Sequence, residues 1–186
     1  MNRKLVLFLL TIVCGCGSLR AQEKHDHERW NVKTLTDRDT ASIHWIPKTT
    51  TIEAITGLPS YPRYDFEKQV VSVTAKVDAI FYEREDGDFH LVLSNGLDSI
   101  VAEIPNPDSV GQSAHRSEFA IAANWARMHR KLSNSFWFGN RIVKVTGLLF
   151  QDFPHAHVTG DGGNHIEIHP VLSIEAIVPT AQLGAK

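Results

Sequence analysis

The order of patterns along this chain predicts a mainly β fold, and three observations carry the prediction. Residues 69–104 hold three runs of alternating apolar and polar residues, divided by two turn signals, Asp86-Gly87 and Asn95-Gly96. From Ser117 to Leu132 the spacing becomes helical, with Phe119, Ala122, Ala123 and Ala126 three and four apart. Two more strand patterns follow, Arg141 to Phe150 and Val171 to Val178. Three meandering strands, a helix, then two strands is the order of a five-stranded OB-type barrel, with its helix between strands 3 and 4. A generic α+β sheet is the alternative.

Each element has its own warrant. Residues 1–21 read as a secretory signal, with Arg3 and Lys4 ahead of a short apolar run from Leu5 to Val13. That run is too short to span a bilayer. Two exits are open: ordinary cleavage after Leu19-Arg20-Ala21, or a lipoprotein-like box, Val13-Cys14-Gly15-Cys16, with a lipid anchor on Cys16. Residues 22–64 form an N-terminal arm. Gln22 to Arg38 is an extended polar lead-in, and a short helix starts with capping-box spacing at Thr50 and Glu53 and stops at Gly57 and Pro59. The barrel domain covers residues 65–179, and residues 180–186 are a tail.

Within the barrel, Val71, Val73, Ala75, Val77, Ala79 and Phe81 make one face of a strand long enough to need a bend or bulge. Asp-Gly suits the positive φ of a primed hairpin turn. Phe89, Leu91 and Leu93 point inward on the next strand, with His90 outward or toward a cleft. Ile100, Ala102 and Ile104 form the inner face of the third. Pro105 and Pro107 end the meander. Arg127, Arg130 and Lys131 sit where they complement the dipole of the helix.

The composition suits one folded domain. Of 186 residues 42% are apolar, and nine Phe and four Trp can fill a core. The formal charge is -2, and losing residues 1–21, with three basic side chains and no acid, leaves -5. That balance makes nucleic acid a less favoured partner than a small ligand, a saccharide or a protein. Ordinary cleavage would leave no cysteine, hence no disulfide and no thiolate chemistry.

Four ordered blocks, Asp88-Phe-His90-Leu-Val-Leu, Val101-Ala-Glu103-Ile-Pro105, Val145-Thr-Gly147-Leu-Leu-Phe-Gln-Asp152-Phe-Pro-His155 and Asn164-His-Ile-Glu167-Ile-His169-Pro170-Val171, together resemble a group of uncharacterised exported bacterial proteins. The resemblance spans roughly residues 86–174. It implies an OB-like domain and an exported location, periplasmic or secreted, and no particular activity. The chain departs from that group at His157, where glutamine is usual, and at His165, where glycine is usual.

The densest chemistry lies in the same stretch. Four of the ten histidines, His155, His157, His165 and His169, fall within fifteen residues. In an extended segment the side-chain period of two sends His165, Glu167 and His169 to one face and Ile166 and Ile168 to the other. The candidate metal ligands are His155, His157, Glu167 and His169, with His90 joining from a neighbouring strand. Asp152 or Glu167 serves as ligand or general base. A divalent cation, zinc first, takes three protein ligands and a water in such a site. The spacing matches no specific zinc signature. The alternative is structural: Asp152 capping a turn, His169 bonding a backbone carbonyl, Glu167 pairing with Arg141 or Lys144, and Asn164 with Gly162 and Gly163 forming the turn.

A ligand face on the barrel would use Tyr82, His90, Asp152 and Trp137, with Arg84 and Arg141 nearby. Glu103 meets His90 only if the second and third strands pair in register around Asn95-Gly96. Three classes of function follow. The first is an exported binding or accessory module with a His/Asp/Glu patch. The second is a metal-dependent hydrolase of phosphodiester or similar bonds using the same patch. The third is a structural domain for contacts at the cell surface.

Overall fold

The computed structural model describes residues 29–59, 65–84, 87–130, 141–153 and 160–177. Six strands, β1 (His44–Thr50), β2 (Gln69–Tyr82), β3 (Phe89–Ser94), β4 (Ser99–Ile104), β5 (Arg141–Gln151) and β6 (Ile166–Ala176), join α1 (Trp30–Lys33), α2 (Ile52–Thr56) and α3 (Arg116–His129). The sheet runs β1-β2-β3-β4-β6-β5, and β5 pairs back onto β2. That last pairing closes β2, β3, β4, β6 and β5 into a five-stranded barrel. All barrel pairings are antiparallel except β4 with β6, which meet in parallel at Ala102 and Ile168. With α3 between the third and fourth barrel strands, this is the OB architecture that the element order predicts.

Alternation explains the core. Val71, Val73, Ala75 and Val77 of β2 pack inside against Leu91, Leu93, Ile100, Ala102, Ile104, Val143, Val145, Ile166 and Ile168. The helix presents Ala122, Ala123 and Ala126 to this interior, small residues that let it lie close on β4 and β6. Gly147 serves close approach on the other flank: a Cβ there would meet Ile168 Cγ2 and the Pro170 carbonyl oxygen, each at 2.5 Å.

The register of β2 against β3 shifts between Val77 and Ala79. One extra residue reverses the facing beyond it. Ile80 therefore enters the core. Phe81, expected inside, lies outside and packs its ring 4.8 Å from that of His90.

The arm departs most from expectation. It adds β1, which pairs in parallel with the first half of β2. Its lead-in is not extended: residues 30–33 form a helical turn and residues 38–42 a 3-10 turn. The helix α2 is capped one residue later than expected, by Thr51, whose hydroxyl accepts from the Ala54 amide. Leu35 of the arm joins Val70, Phe119 and Leu148 in a second apolar cluster. The fifth barrel strand starts at Ile166 rather than Val171, which takes Glu167 and His169 into the sheet.

The first 28 residues, with the expected signal and Cys16, lie outside the described residues. So do Trp137, His155 and His157.

Candidate metal centre

The site forms where outward side chains of three neighbouring strands meet. On β3 the inward Phe89 and Leu91 leave His90 outside. On β4 the inward Ala102 and Ile104 leave Glu103 outside. On β6 the inward Ile166 and Ile168 leave Glu167 and His169 outside. The β3–β4 hairpin pairs His90 opposite Glu103, the register that Asn95-Gly96 suggests. The parallel contact of Ala102 with Ile168 then brings β6 beside β4.

The Glu103 carboxylate lies between two imidazoles. His90 Nδ1 is 3.1 Å from Oε1, and His169 Nδ1 is 2.8 Å from Oε2. His169 Nδ1 is also 3.1 Å from Glu167 Oε1. Asp88, on the turn before β3, enters from the far side. Its Oδ1 accepts from the Asn106 amide at 2.7 Å, and its Oδ2 lies 3.9 Å from His169 Nε2. His169 is only 1% exposed. The Phe150 ring, outward on β5 opposite Glu167, covers the imidazole at 5.6 Å between ring centres.

Burial and the facing charges together set the protonation pattern. For Glu103, burial opposes ionisation, but the facing His90 and His169 outweigh it and hold its carboxyl well below the usual range. Glu167 is pushed up to about 8, first by burial and then by the charge of Glu103. His169 is raised to about 9: burial pulls it down, and the Glu103 charge with hydrogen bonds to both glutamates more than reverses this. At neutral pH the group is an ionised Glu103, a protonated His169 and a neutral Glu167.

Asp88, Glu103 and His169 each offer a ligand atom, and these atoms lie within 4.8 Å of one another. His169 Nε2 is buried and has no hydrogen-bond partner among the described residues. Its separation from Asp88 Oδ2 is too long for a hydrogen bond. It is near the roughly 3.4 Å that two ligands span on a tetrahedral zinc with bonds of about 2.1 Å. An imidazole that bonds a carboxylate through Nδ1 and leaves Nε2 bare has the orientation of a metal-ligating histidine. One nitrogen and two carboxylates are therefore a donor set that could hold a metal ion.

The sequence-derived candidates are distributed unevenly. Glu167 and His169 come together as their period of two suggests. His90 is linked to them through Glu103. His165 does not share their face: its backbone is left-handed, φ 56°, and its Nδ1 bonds Asp161 at 2.6 Å. Glu167 pairs with His169 rather than with Arg141 or Lys144, and Lys144 instead faces Glu175 at 3.7 Å. Asp152 ends β5 and meets Lys33 at 3.8 Å. It shares with Glu167 a cavity of about 20 Å³, room for one water. Tyr82, 37% exposed, lies opposite Phe89, on the side of β2 and β3 away from His90.

Asp88 and Glu103 are the ligands missing from the candidate set. Glu103 was detectable through its register with His90, and Asp88 through its spacing of two from His90. Asn164 does more than turn the chain: its Nδ2 donates to the carbonyls of Ile55, Thr56 and Leu58, fastening α2 to the start of β6.

No model of a known protein family matches the sequence, and no curated protein matches it. Among solved structures the chain is similar to aspartyl-tRNA synthetase from Entamoeba histolytica, at 19% identity and TM-score 0.44, over 72% of this chain and 22% of that one. It is also similar to an OBody bound to hen egg-white lysozyme, at 14% identity and TM-score 0.44, over 70% and 96%. A third is the S. pombe Stn1-Ten1 complex, at 10% identity and TM-score 0.36, over 61% of each chain. The chain spans about a fifth of the synthetase it matches.

Proposed function

We propose that this protein is an exported OB-barrel binding module that takes a divalent cation, zinc by preference, at Asp88, Glu103 and His169. The bare, buried Nε2 of His169 facing the Asp88 carboxylate carries the reading. A buried nitrogen without a hydrogen-bond partner is costly unless something occupies that position. The outer face of the second and third barrel strands, with the loop before the second, is where OB folds take ligands. His90, Glu103 and Asp88 occupy that face. Export is supported by the sequence pattern of residues 1–21.

The chain's own residues divide the work. His169 and Asp88 would hold the cation, and Glu103 would join them by turning from His169 Nδ1. Glu167, 3.1 Å from Nδ1, would then keep the His169 ring oriented. The test is equilibrium dialysis against zinc, with metal quantified by elemental analysis, for the protein and His169→Ala. One zinc per chain that disappears in the variant supports the reading. Equal uptake by both, or none by either, overturns it.

Ligand count supports a second reading. Three protein ligands leave a tetrahedral cation one position for water, as in catalytic zinc sites. The same centre then serves a metal-dependent hydrolase of phosphodiester or similar bonds. Zinc-dependent turnover of bis(p-nitrophenyl) phosphate that is lost in His169→Ala is its expected result. Turnover equal to that of free zinc would remove it.

A further inference from the structure

The ligands of the centre all belong to the barrel, but a turn of the arm lies over them. Arg29 forms a two-pronged pair with Glu67, at 2.9 and 2.6 Å, and donates to the Gln151 carbonyl at 3.1 Å. Its guanidinium lies 4.3 Å from the centre of the Phe150 ring, and that ring covers His169. Glu67 is fixed in turn by the Gln151 amide at 2.9 Å. Glu67, Arg29, Phe150 and His169 therefore form one stack from the barrel's edge to the ligand.

Three observations single out this turn. Arg29 and Leu35 bracket it, and both hold left-handed backbones, φ 62° and 56°. Non-glycine residues adopt that conformation only where their surroundings enforce it. The space beneath the turn reaches His169: a cavity of about 50 Å³ is lined by Arg29, Leu35, Glu67, Leu149 and His169 among others. Lys33, on the same turn, lies 5.0 Å from the Phe150 ring centre and acts electrostatically on Glu103, Glu167 and His169. An entering cation meets that positive charge while the turn is down.

We propose that residues 29–35 are a latched lid, and that the Arg29–Glu67 pair sets how fast a cation reaches and leaves His169. The lid supplies no ligand, so it governs the rates and not the strength of binding. The inference rests on the cation reading above. Opening breaks a charge-assisted, two-pronged pair, and such pairs are among the stronger polar contacts. Losing it raises the open population, and entry and exit accelerate by the same factor.

The experiment uses the purified chain, zinc and a chromogenic zinc chelator. Stopped-flow mixing gives the release rate from the loaded protein and the uptake rate by the free protein, and competition gives the Kd. Arg29→Met keeps an apolar stem on Phe150 and removes the latch. Glu67→Gln keeps the shape and removes one charge, and it provides the second test if Arg29→Met fails to fold by circular dichroism. The expected result is that both rates rise at least tenfold in Arg29→Met and by a smaller factor in Glu67→Gln, with Kd within threefold. Unchanged rates in a folded variant overturn the lid and leave the cation site standing. So does a Kd weakened by as much as release is accelerated, since the arm would then be supplying affinity. Zinc uptake by the variants alone supports a lid that keeps the parent closed. No uptake by any of the three overturns the cation reading and the lid with it.

Discussion

Glu103 and Glu167 are both buried, and both lie about one hydrogen bond from His169 Nδ1, yet substituting them should have opposite consequences. Glu103 is ionised between two imidazoles, and Glu167 at pH 6 still carries its proton because burial and Glu103 push it up to about 8. Glu167→Gln at pH 6 replaces a neutral acid by a neutral amide of the same shape. It should cost less than about 1 kcal/mol, because shape, charge and hydrogen-bonding capacity are nearly kept. Glu103→Gln removes the counter-charge of a buried imidazolium, a loss of about 3–5 kcal/mol where nothing compensates. Here Glu167, 3.1 Å from His169 Nδ1, can ionise once Glu103 is gone. The expected cost therefore sits near the low end, about 3 kcal/mol. The double variant loses that rescue and should fall below the sum of the singles by about 1 kcal/mol or more. Urea denaturation at pH 6 with EDTA measures all three. A Glu167→Gln loss equal to or larger than that of Glu103→Gln would refute the assigned charges.

The remaining predictions concern pH, the arm and the close approach of β6. The metal-free protein should be most stable near pH 4.5, where the gain from ionised Glu103 is nearly complete and the loss from Glu167 begins. The His169 contribution is full below its ordinary 6.5 and is lost as pH rises through about 9, worth about 3 kcal/mol at most. Glu167 loses stability from its ordinary 4.5 upward, because the unfolded chain ionises there while the folded one keeps its proton until about 8, and Glu103 gives the acid-side loss below its ordinary 4.5. Urea midpoints from pH 4 to 9 check this, and a flat profile would contradict it. Zinc affinity should rise with pH over the same range, because binding displaces the His169 proton; dialysis at pH 6, 7 and 8 measures it. Asn164→Ala should cost about 2 kcal/mol by removing the buried hydrogen bonds that tie α2 to β6, read as a lower urea midpoint. Gly147→Ala should cost about 1–3 kcal/mol, because its Cβ meets the Pro170 carbonyl, which cannot yield without shifting β6; a thermal melt near that of the parent would contradict this.

The barrel was legible because each strand buries one face, so alternation reported both the strand and its inside. What alternation cannot report is a change of phase. The bulge before Ala79 left no mark in the residue types, and Phe81 was placed inside on parity alone. The strand β1 was invisible for the opposite reason. His44 to Thr50 lies largely exposed with Pro47 in its middle, so neither burial nor propensity marks it.

The site divides in the same way. Glu167 and His169 followed from a period of two within one strand, and Glu103 from the register of a tight hairpin. Asp88 belongs to a turn, and its approach to His169 depends on how β6 docks beside β4, where Ala102 and Ile168 pair across 66 residues of sequence. His165 failed because parity holds only in extended backbone, and position 165 is left-handed.

Diffraction from crystals soaked in zinc, recorded at the zinc absorption edge, tests the central claim most directly. The account predicts one strong anomalous peak about 2.1 Å from His169 Nε2 and bonded to Asp88 and Glu103. An empty centre, or zinc held only by other residues, would contradict it and leave Asp88, Glu103 and His169 as a charge network that shapes the barrel alone.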